Sequence, residues 1–281
     1  MITKRIQLES RRRGGSFFLR QLFARIQLMK VSAVIIAGNE EKKIGAAVNS
    51  VSWADEILVV DSESTDRTRE IARQFGARVI VNPWPGFSPQ KQFGVDAAAN
   101  DWVFSLDADE TVSDTLRGEI LALARKPELT PAGYRIPRLS TYLGKQVHHS
   151  GWYPDWQLRF FDRRRARWNG NIVHESVVVN PGARVERLKG NILHNTVDSM
   201  EEHDDLIRSR YAPLGARLMF DRGKRTSRFR VRIAAPIAFF STYILKAGFL
   251  DGSAGWHIAR FAARHARLKH EMLFDMQESL H

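Results

Sequence analysis

Three apolar runs, VSAVIIA at 31–37, ILVVD at 57–61 and DWVFSLD at 101–107, recur with helix-patterned stretches between them, and this alternation constrains the fold most. The runs are continuous rather than alternating, so each strand is expected to be covered on both faces. After the first run, Ile44, Ala47, Val48 and Val51 fall at helical spacing within 40–52. After the second, Thr68, Ile71, Ala72 and Phe75 share a helix face before a short strand at 77–81, and a helix is expected over 89–99. Strand and helix in alternation predict an α/β fold with a mostly parallel central sheet and functional loops at the carboxyl ends of its strands. Beyond residue 130 the pattern changes to strand-like pieces around 132–139, 157–162, 172–179 and 191–194, and from about 199 it becomes helical.

With 281 residues, 43% of them apolar, the chain can bury a sizeable core. The lack of cysteine excludes disulfides, thiolate-ligated metals and thiol nucleophiles. The net charge of +12 is unevenly spread: residues 1–30 carry +7 and 206–281 carry +9, whereas 31–205 sum to −4. An acidic centre between basic ends predicts an acid-rich site flanked by segments that meet an anionic surface. Nucleic acid is not the expected partner, because no recognition motif accompanies the charge.

The most apolar stretch, 233–250, is broken by Pro236, Ser241, Thr242 and Lys246, which favours an interfacial or buried helix over a membrane span. In 258–272, Ile258, Phe261, Ala262, Leu268 and Met272 oppose Arg260, Arg264 and Arg267. That pattern suits a basic amphipathic helix on an anionic membrane, or an ordinary helix with a solvated face. The N-terminal FFLRQLFARIQL is punctured by Arg20 and Arg25, unlike a signal peptide. Met29 stands directly before the first strand, so residues 1–28 can also be read as an extension upstream of a native start.

Polar residues gather at the strand ends. Asp107 and Asp109 in SLDADE close the third run, where both carboxylates can address one hard divalent cation or divide between a metal and a sugar hydroxyl. Asp61, followed by Ser62, Ser64, Thr65 and Asp66, can serve as a helix cap or meet a nucleotide. No G-x-G-x-x-G follows the first strand, which counts against a nicotinamide dinucleotide site.

AGNEE at 37–41, WADEILVVDSESTDRT at 53–68, GF-x-x-QKQFG at 86–94, DWVFSLDADE at 101–110, GWYPDWQLRFF at 151–161 and VHE at 173–175 occur in one order. Together they resemble the inverting family-two glycosyltransferases, and more narrowly the bacterial lipopolysaccharide core β-1,4-glucosyltransferases. A looser echo lies at 243–268. The charge count sets off a basic N-terminal segment (1–30), and the resemblance implies a GT-A nucleotide-sugar-binding domain (31–200) followed by a basic, helical, membrane-associated extension (201–281). It places Asn39, Glu40 and Asp61 in the nucleotide pocket, Lys91 near the nucleotide or its phosphates, and Asp107 with Asp109 at the donor, Asp109 binding Mg2+ or Mn2+. His174 is a candidate third metal or phosphate contact. Glu63 stands where the family often has glycine.

Inverting transfer needs a base for the acceptor hydroxyl. In this family the residue stands upstream of a leucine and an arginine, which nominates Asp155 in YPDWQLR, with Glu175 in reserve and Arg159 either stabilising the diphosphate or pairing with an acid. Trp152, Tyr153 and Trp156 can bind a sugar face or pack in the core. The expected reaction is transfer of a hexose, glucose from UDP-glucose, to a heptose of the lipopolysaccharide inner core, on the cytoplasmic face of the bacterial inner membrane. Two rivals stand beside it: the same chemistry on another lipid-linked or capsular glycan, and a non-catalytic nucleotide-sugar-binding module at the membrane surface.

Overall fold

Strand β1 (Val31–Ala37) is buried at every position, as its unbroken apolar sequence requires. It lies between two parallel neighbours, β2 (Glu56–Asp61) and β4 (Trp102–Asp107), and β3 (Arg78–Val81) continues the parallel half beyond β2. The computed structural model describes residues 29–126, 128–170, 175–197 and 199–279. The basic N-terminal stretch and His174 lie outside them.

Helices α1 (Ile44–Ser50), α2 (Thr68–Gln74) and α3 (Phe87–Ala97) follow the first three strands, close to their expected places. Ile44, Ala47 and Val48 enter the core, but Phe75 caps α2 and stays 49% exposed, because the helix ends one residue before it. Gly94 lets α3 lie directly on the sheet: a Cβ there would meet Val34 Cγ1 at 2.5 Å. Helix α4 (Asp114–Ala124) is capped by Ser113, whose hydroxyl accepts the Leu116 N–H at 3.3 Å.

Beyond β4 the sheet becomes mixed. Its order is β3-β2-β1-β4-β8-β6-β12-β5, with β8 (Asp155–Asp162) antiparallel to both β4 and β6 (Gly133–Tyr142). Strand β12 (Ile192–Val197) runs parallel to β6 and pairs antiparallel with β5 (Glu110–Val112). The short strands β7 (Lys145–Gln146) and β11 (Val185–Arg187) also pair with β6. β9 (Ala166–Trp168) and β10 (Val177–Val179) form a separate ribbon. This arrangement puts the carboxyl end of β4, the amino end of β8 and the middle of β12 at one end of the sheet.

After the sheet come α5 (Met200–Leu206), α6 (Ala212–Asp221), α7 (Arg228–Phe240) and α8 (Gly252–Glu278). Among the described residues no single helix is long and apolar enough to cross a membrane; the segments Arg228–Leu245 and Gly248–Glu278 meet at a 72° bend. Ala254 and Ile258 of α8 pack with Tyr142, Val147 and Val197, and Trp152 rests against this cluster, which is the packing alternative for that residue. In the 258–272 stretch Ile258 is buried and Phe261, Ala262, Leu268 and Met272 are half-buried, while Arg260, Arg264 and Arg267 stay exposed, so the charged face of the helix is the solvated one.

Candidate active site

The loops after β1 and β2 are zipped to each other. Asn39 N–H donates to Ser64 Oγ at 2.9 Å, Asn39 Oδ1 accepts the Thr65 N–H at 2.8 Å, and Glu40 N–H donates to Thr68 Oγ1 at 2.8 Å. Asn39 and Glu63 both take the left-handed conformation at φ 57°, and for Glu63 this gives a backbone reason why glycine suits that position. Asp61 is fully buried and accepts from Ser64 N–H and Ser64 Oγ, so its carboxylate holds this loop. Burial raises the Glu40 pKa above the ordinary carboxylate value, and Asp109 and Asp66 add to the rise against the opposing Lys43.

Asp107 and Asp109 turn apart. Asp107 Oδ1 lies 3.0 Å from Lys91 Nζ, and its Oδ2 accepts from Arg159 Nη2 at 2.9 Å. Burial alone would raise its pKa, but Arg159 and Lys91 overcome that and hold the carboxyl well below the usual range. Asp109 Oδ2 faces His194 Nε2 at 3.2 Å, a pairing made by the register of β5 on β12. A cavity of about 310 Å³ opens beside them, lined by Lys42, Lys43, Thr141 and Asn195 as well as by Asp109 and His194.

One continuous ionic chain crosses the site. Glu175 Oε1 lies 3.0 Å from Lys91 Nζ, Lys91 touches Asp107, and Asp107 pairs with Arg159. Arg159 Nη2 lies 3.5 Å from Glu110 Oε1, Glu110 lies 3.3 Å from Arg138 Nη1, and Arg138 Nη2 reaches Asp155 Oδ2 at 2.7 Å. Lys91, Arg159 and Glu110 are almost wholly buried, at 1%, 3% and 0% exposure, so the interior of the chain is a set of mutually neutralising charges. Its two ends, Asp155 and Glu175, keep 36% and 27% of their side-chain surface. These are the two carboxylates nominated as base.

Lys91, expected at the nucleotide, is therefore enclosed by two carboxylates, with its ammonium 4.9 Å from the Trp168 ring centroid. Arg159 pairs with acids, and among the described residues its buried Nε and Nη1 find no acceptor. Tyr153 Oη donates to Asn191 Oδ1 at 3.1 Å, and Trp156 lies under the Arg187 guanidinium at 4.6 Å. Sequence reasoning missed Glu110, Arg138 and His194. Glu110 closes the quoted SLDADE motif, and that position was the available signal; a lone histidine in β12 and an arginine in β6 carry none.

A metal-binding role fits this donor set in one place. Asp109 oxygen and His194 nitrogen point at each other from the rim of a cavity, with 30% and 16% of their side chains exposed. A magnesium or manganese ion commonly takes one or two protein ligands and fills its remaining positions with water and phosphate oxygens. Among the described residues no group of three or more such ligands occurs, and Asp107 is committed to its two cations.

The sequence profile of glycosyl transferase family 2 matches residues 32–188. The lipopolysaccharide core biosynthesis glycosyltransferase LpsC of Rhizobium meliloti is 30% identical over 252 residues, covering 86% of this chain and 91% of LpsC. An uncharacterized glycosyltransferase of Rickettsia typhi is 33% identical over 238 residues, covering 82% of this chain and 81% of its own. Among solved structures, S. aureus TarS 1–349 in complex with UDP-GlcNAc is similar at 15% identity and a TM-score of 0.45, over 90% of this chain and 91% of that one. With its GT-A-like mixed sheet and a profile match spanning more than half its length, the chain belongs to glycosyltransferase family 2 and is a hexosyltransferase.

Proposed function

We propose that the protein transfers glucose from UDP-glucose to a heptose of the lipopolysaccharide inner core, with inversion, at the cytoplasmic face of the bacterial inner membrane. The observation that carries the reading is the shared end of the sheet: the Asp109–His194 pair beside the cavity and Asp155 at the exposed end of the ionic chain, in a chain of this family. The likeness to LpsC supports a lipopolysaccharide core acceptor. The motif resemblance to core β-1,4-glucosyltransferases supports the donor.

In this reading Asp109 and His194 hold the divalent ion, which when bound offsets the negative charge of the donor diphosphate. Lys42 and Lys43 face the same cavity and attract the remaining phosphate charge. The acceptor oxygen attacks the anomeric carbon from the face opposite the diphosphate, the bond from that carbon to the diphosphate oxygen breaks, and the hydroxyl proton passes to Asp155. Arg138 and Gln157 orient that carboxylate: Gln157 Nε2 donates to Asp155 Oδ1 at 2.7 Å, while Arg138 holds Oδ2.

The test is incubation of the purified protein with manganese or magnesium and a panel of UDP-, GDP- and CDP-sugars, following donor hydrolysis by mass spectrometry and then transfer to truncated lipopolysaccharide. Selective, metal-dependent use of UDP-glucose with a product on heptose is expected. Another donor would retain the chemistry and move the pathway; a product only on a different lipid-linked glycan would reassign the acceptor. Binding without turnover on any acceptor would favour the non-catalytic module.

A further inference from the structure

Helix α7 buries none of its residues, although its second half is strongly apolar. Phe229, Ile237, Phe240 and Ile244 are 71%, 59%, 54% and 45% exposed. Their spacing puts them on one side of the helix and the π-helical turn Ser241–Leu245 that prolongs it. Around the bend the stripe continues through Leu245, Phe249 and Leu250, which are 71%, 49% and 60% exposed. The flanking side is occupied: the Phe239 and Tyr243 rings meet Trp256 of α8 at 5.1 and 5.4 Å.

Charge identifies what covers the stripe. Residues 222–250 contain seven Lys or Arg and no Asp or Glu. Arg228, Arg230 and Arg232 are exposed beside the start of the stripe, and Lys246 is exposed at its tip. A second copy docking face to face would set these cations against themselves. An anionic lipid surface complements both parts, apolar residues entering the acyl boundary and arginines meeting headgroups.

The stripe is also fastened to the active-site side of the sheet. Asp251, at the end of the 3-10 turn Gly248–Asp251, accepts the His148 and His149 N–H groups at 3.0 and 3.1 Å and the Ser150 hydroxyl at 2.8 Å. Ser150 N–H donates to the Lys246 carbonyl at 2.9 Å. These bonds hold the loop that runs directly into Asp155. We propose that the stripe from Phe229 to Leu250 seats in an anionic lipid leaflet and that Asp251 fixes this anchor to the loop leading to Asp155, so the site is held at a set height above the lipid surface. Lipid docking stands apart from the reaction; the positioning of a lipid-linked acceptor rests on the transferase reading.

The full chain is tested by sedimentation with vesicles containing phosphatidylglycerol and with phosphatidylcholine vesicles alone. The protein is expected to bind the anionic vesicles and to be released by salt, and an Ile244→Asp/Leu245→Asp variant to bind them about a hundredfold more weakly with an unchanged thermal melt. Binding by this variant equal to that of the parent chain, or no binding by the parent, overturns the anchor. A dimer dissolved by the same substitutions assigns the stripe to a second copy and overturns it too. Asp251→Asn is expected to keep vesicle binding and lipid-free donor hydrolysis while slowing transfer to a vesicle-embedded acceptor and raising amide exchange at His148 and His149. Unchanged transfer together with unchanged exchange overturns the positioning role. Donor hydrolysis by the parent chain without lipid reports separately on the reaction, so failure of the anchor and failure of the chemistry are distinguishable.

Discussion

Arg138 and Asp155 face one another in register across β6 and β8, with Nη2 2.7 Å from Oδ2. The strand pairing therefore aims the carboxylate: a slip of one residue would send Arg138 to the other side of the sheet and leave Asp155 without its cation. Glu175, at the other end of the ionic chain, leaves a connection between strands and has Lys91 as its partner.

Asp155→Asn is expected to lower kcat by about two to four orders of magnitude with donor KM nearly unchanged, the size of a lost general base. Steady-state kinetics on the lipopolysaccharide acceptor checks it. A full rate in Asp155→Asn together with an inactive Glu175→Gln would move the base to Glu175.

Arg159→Met removes the cation shared by Asp107 and Glu110, leaving the wholly buried Glu110 with Arg138 as its remaining cation. Breaking a buried pair from one side costs about 3–5 kcal/mol, so a large fall in the urea midpoint is expected. A midpoint within experimental error of the parent would show that the chain of charges contributes nothing to stability.

His194→Ala is expected to weaken Mn2+ binding about tenfold or more, and Asp109→Ala to abolish it, each with an unchanged melt. Electron paramagnetic resonance titration of free Mn2+ reads this without turnover. Parent-like affinity in both variants would remove the pair from metal binding.

His203 sits 3.0 Å from Tyr142 Oη and 4.2 Å from the Phe261 ring centroid, joining the sheet to the C-terminal helices. Burial pushes its pKa down to about 4. The unfolded chain then takes up a proton as pH falls through about 6.5 while the folded imidazole stays neutral, so stability drops between those two values by about 3 kcal/mol at most. Urea melts across that range should show the loss, with His265 and His270 adding in the same direction. His203→Phe should flatten it; an equal slope in both proteins would place the titration elsewhere.

The first half of the fold is legible because β1, β2 and β4 are central strands, covered on both faces and written as continuous apolar runs. The second half is legible only in part: the strand-like pieces around 132–139, 157–162, 172–179 and 191–194 meet β6, β8, β10 and β12, but β5, β7, β9 and β11 have two or three residues each, too few to show a period, and the partners of β5 and β11 lie far away in sequence. In the site, Asp107 and Asp109 stand out because carboxylates end a buried strand. Their opposite directions depend on Arg159 and His194, which only the β8 and β12 pairings bring there. Glu110 escapes notice because an acid after a turn looks solvated, whereas here it accepts the Asp107 N–H at 3.0 Å in the interior. The amphipathic pattern at 258–272 is real, but tertiary packing sets its apolar side against the neighbouring helices and the end of the sheet and leaves that of α7 outside.

The Asp251 carboxylate, only 2% exposed, satisfies amides contributed by a loop about a hundred residues earlier. A chimera that exchanged the helical tail between related enzymes without exchanging residues 145–151 would orphan those amides or bury an unmatched acid. Tail and loop are thus a single inheritable cassette interrupted by the strand that carries Asp155, and a cut at the last strand would divide it.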